Sequence, residues 1–91
     1  MVDCQWELKF THQTQKDAKK LAASGLKPKA EQLLKILQQN PFTNPPSYEK
    51  LQRNLKGSYS RRINIHHRLV YEVLDSENVV KIIRMWSHYG D

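Results

Sequence analysis

The period of the apolar residues changes twice along this chain, from two to 3.6 and back to two, and that order restricts the folds open to it. Residues 5–10, Gln-Trp-Glu-Leu-Lys-Phe, alternate, with Trp6, Leu8 and Phe10 on one side. This is the pattern of a half-buried strand. Over 12–24 the spacing is helical: Ala18, Leu21 and Ala22 share a face, Thr11 can cap the start, and Gly25 follows the end. Pro28 suits the first turn of a second helix, whose stripe is Ala30, Leu33, Leu34 and Leu37 before Asn40-Pro41 stops it. Two short helices joined by a few residues predict an antiparallel hairpin.

Residues 41–47 form a loop restricted by Pro41, Pro45 and Pro46. Ser47 is expected to cap one or two helical turns carrying Tyr48, Leu51 and Leu55, and Gly57-Ser58 to turn the chain. Three strand-like stretches follow, 59–65, 68–74 and 79–86. The last two read as a hairpin around Asp75-Ser76-Glu77-Asn78. A tip at Ser76 and Glu77 pairs Glu72 with Lys81, Tyr71 with Ile82 and Val70 with Ile83. Strands and helices are segregated, which predicts an α+β fold. The expected sheet has about four strands, antiparallel and mixed at most at one edge, with the helical hairpin packed on one side. At 91 residues the chain is expected to be a single domain, 1–91, because two halves would each bury too little surface.

Composition narrows the partners. Fifteen Lys+Arg against nine Asp+Glu give a formal charge of +6. That excess favours a polyanion: nucleic acid, an acidic protein or an anionic surface. No apolar run is long enough to span a bilayer, so no membrane is expected. The N-terminus has no signal-peptide pattern, and the lone Cys4 can form no internal disulfide, so a cytoplasmic location is expected. Some of Trp6, Phe10, Ile36, Tyr59 and Trp86 should stay exposed, an apolar patch suited to an acidic amphipathic partner.

Charge placement is the clearest chemical feature. Lys50, Arg53, Lys56, Arg61, Arg62 and Arg68 fall between Glu49 and Glu72 with no acid among them, and His66 and His67 add to the run. Cations on or beside one sheet suit phosphates. Tyr48, Tyr59, Trp86 and Tyr89 are rings that could stack on unpaired bases. A solvated face with scattered ion pairs explains the same arginines. A second grouping is Glu49, Arg68 and His88. A base for the attacking hydroxyl, a cation for the phosphorus oxygens and an acid for the leaving oxygen suffice to move a phosphoryl ester without metal. RNA supplies its own nucleophile, the 2′-hydroxyl. Taken alone, Glu49 also reads as a first-turn helix charge and His88 as a terminal residue. Adjacent His66 and His67 point to opposite faces of a strand, there is no Cys cluster and no Gly-rich phosphate loop, so no metal or cofactor is expected.

Residues 41–89 carry a more specific pattern: Pro41-Phe42, Glu49-x-Leu51, Asn54-Leu55-x-Gly57, Tyr59-Ser60-Arg61-Arg62-Ile63, His67-Arg68-Leu69-Val70-Tyr71 and His88-Tyr89. This run resembles the Txe/YoeB family of toxin–antitoxin toxins, within the RelE-like superfamily. The resemblance implies an endoribonuclease that cleaves mRNA on the translating ribosome and leaves a 2′,3′-cyclic phosphate and a 5′-hydroxyl. It implies Glu49 as general base, Arg68 as stabiliser of the pentacoordinate phosphate and His88 as general acid. Tyr89 would help place the substrate, and Arg62 would touch phosphate. It implies an acidic, partly disordered, YefM/Phd-like antitoxin and a toxin–antitoxin hetero-oligomer. Gly90-Asp91 extend beyond the family's usual His-Tyr ending. Strict alternation puts Tyr89 on the Arg68 face and His88 on the other, so a meeting of His88 with Arg68 requires a break in strand geometry around 86–88, such as a bulge. Two rival functions remain: a non-catalytic inhibitor that occupies RNA or the ribosome through Arg61, Arg62 and Arg68, and a gyrase-poisoning toxin of the same superfamily.

Overall fold

A computed structural model describes residues 6–44, 47–51 and 58–88, with Leu51, Ser87 and His88 described by backbone alone. The elements are β1 (Glu7–Phe10), α1 (His12–Ala23), α2 (Lys27–Gln39), β2 (Glu49–Leu51), β3 (Ser58–Arg62), β4 (His67–Leu74) and β5 (Val79–His88). The five strands form one sheet in the order β1-β5-β4-β3-β2. β1 pairs parallel to β5, and the other three pairings are antiparallel. The sheet is thus α+β in setting and mixed at one edge, with one strand more than the expected four.

The extra strand replaces the expected short helix. Tyr48, Leu51 and Leu55 have helical spacing, yet Glu49–Leu51 lies extended against Ser58–Ser60. Pairing at a sheet edge outweighs a weak local preference over so few residues. Leu55 and Gly57 lie outside the described residues, and Ser58 belongs to β3 rather than to a turn. The stretch expected at 59–65 ends at Arg62, because the Asn64 side chain accepts from the backbone N–H groups of His66 and His67, both at 2.8 Å, and turns the chain.

Both helices end as their sequences dictate. Thr11 accepts from the Thr14 backbone N–H at 3.1 Å, and Gly25 adopts φ +80° just past α1. Pro28 sits in the first turn of α2. The core contains Leu21, Ala30, Leu33 and Leu37 from the helices, packed on Leu69, Tyr71, Val80, Ile82 and Met85 from the sheet. The face of α1 turned to the sheet carries two buried polar residues, Thr14 and Asp17, while Ala22 is exposed.

β4 and β5 form the predicted hairpin, turning through Asp75–Glu77 with Asn78 left-handed at φ 55°. Glu72 faces Lys81 and Tyr71 faces Ile82, as expected. Val70, however, faces Arg84 rather than Ile83, because the register shifts there and again before Arg68. β5 bulges between Ile82 and Ser87, and α1 answers the displaced backbone groups. Thr14 Oγ1 donates to the Ile82 carbonyl at 2.7 Å, and Thr11 Oγ1 donates to the Ile83 carbonyl at 3.1 Å. Asp17 Oδ2 accepts from the backbone N–H groups of Met85 at 2.9 Å and Trp86 at 3.2 Å.

Candidate functional site

Alternation along β3 and its pairings assemble one group of polar residues. Glu49 pairs with Ser60, and Arg62 pairs with Arg68, so Glu49, Ser60, Arg62 and Arg68 share a face of the sheet. Arg68 Nη2 lies 3.6 Å from Glu49 Oε1, and Arg68 Nη1 donates to Ser60 Oγ at 3.4 Å. Ser47, Tyr48, Glu49, Ser60 and Arg62 line a hollow of about 380 Å³ beside this pair. Two guanidinium groups placed directly across a strand pair repel each other. Two cations beside the hollow suit it to a phosphate. The Arg68 side chain is largely covered, at 18% exposure, whereas that of Glu49 is 62% exposed. The pair therefore adds little to stability, within the ~1 kcal/mol of an exposed bridge, and its importance is positional.

Arg61 corrects the sequence expectation. It was expected on the phosphate surface, but it is only 1% exposed and points into the helix-covered face of the sheet. Its Nε donates to the Tyr71 hydroxyl at 3.1 Å and its Nη2 donates to the Pro41 carbonyl at 2.9 Å. Tyr71 donates to the same carbonyl at 3.2 Å. The Arg61 guanidinium also lies 4.9 Å from the Tyr48 ring centre. Burial pushes the Tyr71 phenol up, with Arg61 pulling the other way, and the hydroxyl stays a proton donor at neutral pH. A run of arginines does not reveal which one faces inward; the alternation of β3 does, since Arg61 and Arg62 must part.

The rings expected to stack on bases mostly pack on one another. Tyr59 stacks on Tyr71 with centroids 5.8 Å apart and meets Phe42 and Tyr48 edge-on at 5.6 Å each. Trp86 stacks on His67 at 3.8 Å. Among the described residues the exposed large apolar side chains are Phe10 and Ile65.

β5 carries the remaining candidate. Backbone pairing sets Ser87 opposite Arg68 and His88 opposite His67. The register shifts of β5 lie upstream of the expected break at 86–88, within 82–87, and together preserve alternation, so they shorten the distance from His88 to Arg68 without bringing the two onto one face. Lys50 is exposed on β2, while Arg53, Lys56 and Tyr89 lie outside the described residues. The sequence reading missed Ser60, which holds Arg68, and Asp17, which holds the bulge. Alternation of Ser60 with Arg62 could have signalled the first. Among the described residues no group of His, Cys, Asp and Glu is arranged to hold a metal ion, and no helix is long and apolar enough to cross a membrane.

A family model described as the YoeB-like toxin of bacterial type II toxin–antitoxin systems matches residues 5–89. The chain belongs to this family. Toxin YoeB of Synechocystis sp. is 42% identical over 57 residues, covering 63% of this chain and 64% of that protein's length. The YoeB/ParE toxin from Agrobacterium tumefaciens superposes with TM-score 0.81 at 27% identity, covering 91% of this chain and 99% of that one. A toxin chain of the heterotetrameric YoeB–YefM complex from Staphylococcus aureus superposes with TM-score 0.76 at 38% identity, covering 92% and 98%. The YoeB-like architecture of two helices on a small sheet is therefore the architecture of this chain, and it is a type II toxin–antitoxin toxin.

Proposed function

We propose that the chain is an endoribonuclease that cleaves mRNA on the translating ribosome with no metal in the reaction. Glu49 takes the proton of the 2′-hydroxyl, whose oxygen forms a bond to phosphorus. Arg68 holds the charge that develops on the non-bridging oxygens. His88 gives a proton to the 5′-oxygen as its bond to phosphorus breaks. The products are a 2′,3′-cyclic phosphate and a 5′-hydroxyl. Tyr89 positions the substrate, and Arg62 contacts phosphate with help from Lys50, Arg53 and Lys56.

The observation that carries this reading is the 3.6 Å approach of Glu49 to Arg68 at the edge of a hollow that Arg62 also lines. A base and a phosphate-binding cation must lie this close to act on one linkage. The register of β5 bears on the third role through distance: His88 is one residue beyond the pairing partner of Arg68, and reaching the Arg68 face takes a departure from strand geometry at His88 itself. Alignment of mRNA by the ribosome contributes much of the rate, because positioning can supply about 7–11 kcal/mol. Free RNA is accordingly cleaved slowly. An acidic antitoxin silences the protein in a hetero-oligomer, in keeping with the YoeB–YefM complex of the staphylococcal relative, and both act in the cytoplasm.

Primer extension on a translated message tests the proposal. Wild-type protein creates new 5′-hydroxyl ends within codons, and Arg68→Ala does not. Arrested translation without new ends from the wild-type protein would replace the nuclease with a ribosome-occupying inhibitor.

A further inference from the structure

The proposed acid must come within reach of the linkage that Arg68 holds, and the pairing of β5 sets that distance. Tyr71 faces Ile82. Continued without interruption, this register would put Met85 opposite Arg68 and His88 three residues farther along the strand. The observed register puts Ser87 opposite Arg68, so His88 is one residue farther. Two residues of β5 are taken up in the bulge. At about 3.3 Å per residue, the His88 backbone is drawn roughly 7 Å toward Arg68.

One face of α1 holds that slack. Thr11, Thr14 and Asp17 recur every three residues and meet the carbonyls of Ile83 and Ile82 and the N–H groups of Met85 and Trp86. Asp17 makes the densest contacts. It is fully buried, and Oδ2 also accepts from Arg84 Nε at 3.0 Å while Oδ1 accepts from Gln13 Nε2 at 2.9 Å. A regular strand offers a helix no two successive N–H groups on one side, so a single carboxylate oxygen accepting both selects the bulged conformation. Trp86, fixed in this way, stacks on His67, the residue whose backbone pairs with His88.

We infer that Asp17 is a positioning residue for the reaction, holding β5 in the bulged register that draws the His88 backbone alongside Arg68. The inference rests on the nuclease reading, and its test separates the two. Ribosomes are programmed with mRNA bearing either a normal scissile linkage or one whose 5′-oxygen is replaced by sulfur. When the 2′-oxygen bonds to phosphorus and the P–S bond breaks, the thiolate leaves without a proton, so an acid is dispensable.

On the normal linkage Asp17→Asn lowers kcat about a hundredfold, the scale of a misplacement near 1 Å, with KM unchanged. The sulfur linkage restores Asp17→Asn and His88→Ala alike and leaves Arg68→Ala slow. Rescue of His88→Ala without rescue of Asp17→Asn overturns the inference alone. Failure to rescue His88→Ala overturns the acid assignment and the inference with it. Nuclear magnetic resonance provides a readout besides activity: the cross-strand contact of Arg68 with Ser87 disappears in folded Asp17→Asn. Its retention together with wild-type kcat overturns the inference. If Asp17→Asn does not fold, Gln13→Ala loosens the same carboxylate while leaving its backbone bonds. It should show a smaller kcat loss with the same sulfur rescue, and a loss that sulfur does not relieve overturns the inference.

Discussion

Glu49 and Arg68 approach to 3.6 Å although one lies on the edge strand β2 and the other on β4, with β3 between them. The long arginine side chain spans the gap and is steadied midway by Ser60. Glu49→Gln keeps the shape and removes the base. Cleavage of ribosome-bound mRNA should fall by about 10²–10⁴-fold. The urea midpoint should move little, since the pair is too exposed to contribute much stability. Single-turnover cleavage and equilibrium unfolding of the same variant check both halves.

Arg61 and Arg62 are neighbours with opposite fates. Arg61→Leu leaves the Pro41 carbonyl and Tyr71 hydroxyl only their bond to each other and should cost about 1–3 kcal/mol in urea unfolding. Arg61→Lys should recover only part, because an ammonium cannot reproduce the planar fork that reaches both oxygens. Arg62→Ala should leave stability within ~0.5 kcal/mol and weaken RNA binding, flattening its salt dependence by about one unit of log–log slope.

Asp17 should make stability depend on acid. Burial alone would raise its pKa, but hydrogen bonds from the Met85 N–H, Gln13 and Arg84, with the Arg84 charge, outweigh burial and hold the carboxyl below its ordinary 3.8. The folded state therefore binds this proton less readily than the unfolded chain. The resulting stability is fully present above the unfolded value and drains away as pH falls through the folded one. Urea titrations from pH 7 to pH 2 should show the loss below pH ~4. In Asp17→Asn that part of the slope should be missing, with the protein already weaker at pH 7.

Gly25 has φ +80°, and a methyl group added there would touch nothing within 4 Å. The whole cost of Gly25→Ala is thus backbone strain, about 1–2 kcal/mol. Gly25→Asn should cost less, since asparagine tolerates the left-handed region. Thermal unfolding of the two variants gives the comparison.

Local chemistry was readable at both helices: the Thr11 cap, Gly25, Pro28 and the Ala30–Leu37 stripe each act within a few residues. The Glu72–Lys81 register was equally readable, because a short turn and a charge pair define it. Beyond Tyr71 the sequence called for a break around 86–88 but did not place the register shifts within 82–87. What enforces them is Asp17, some 68 residues before Met85 in the chain, and a polar residue on a mostly apolar helix face gives no hint of its partner. The edge strand at Glu49–Leu51 was hidden for a related reason, since its pairing with Ser58–Ser60 overrides a helical spacing. Of the proposed catalytic trio, the carboxylate and guanidinium were grouped by their chemistry and made specific by a family likeness; their meeting depends on three strands and on a serine between them.

Thr11 reaches Ile83 across 72 residues, and β1 beside it runs parallel to β5. Closing such a span late in synthesis is slow compared with forming the helical hairpin. The proposed cleavage centre is therefore complete only once β5 has closed against β4 and the start of α1.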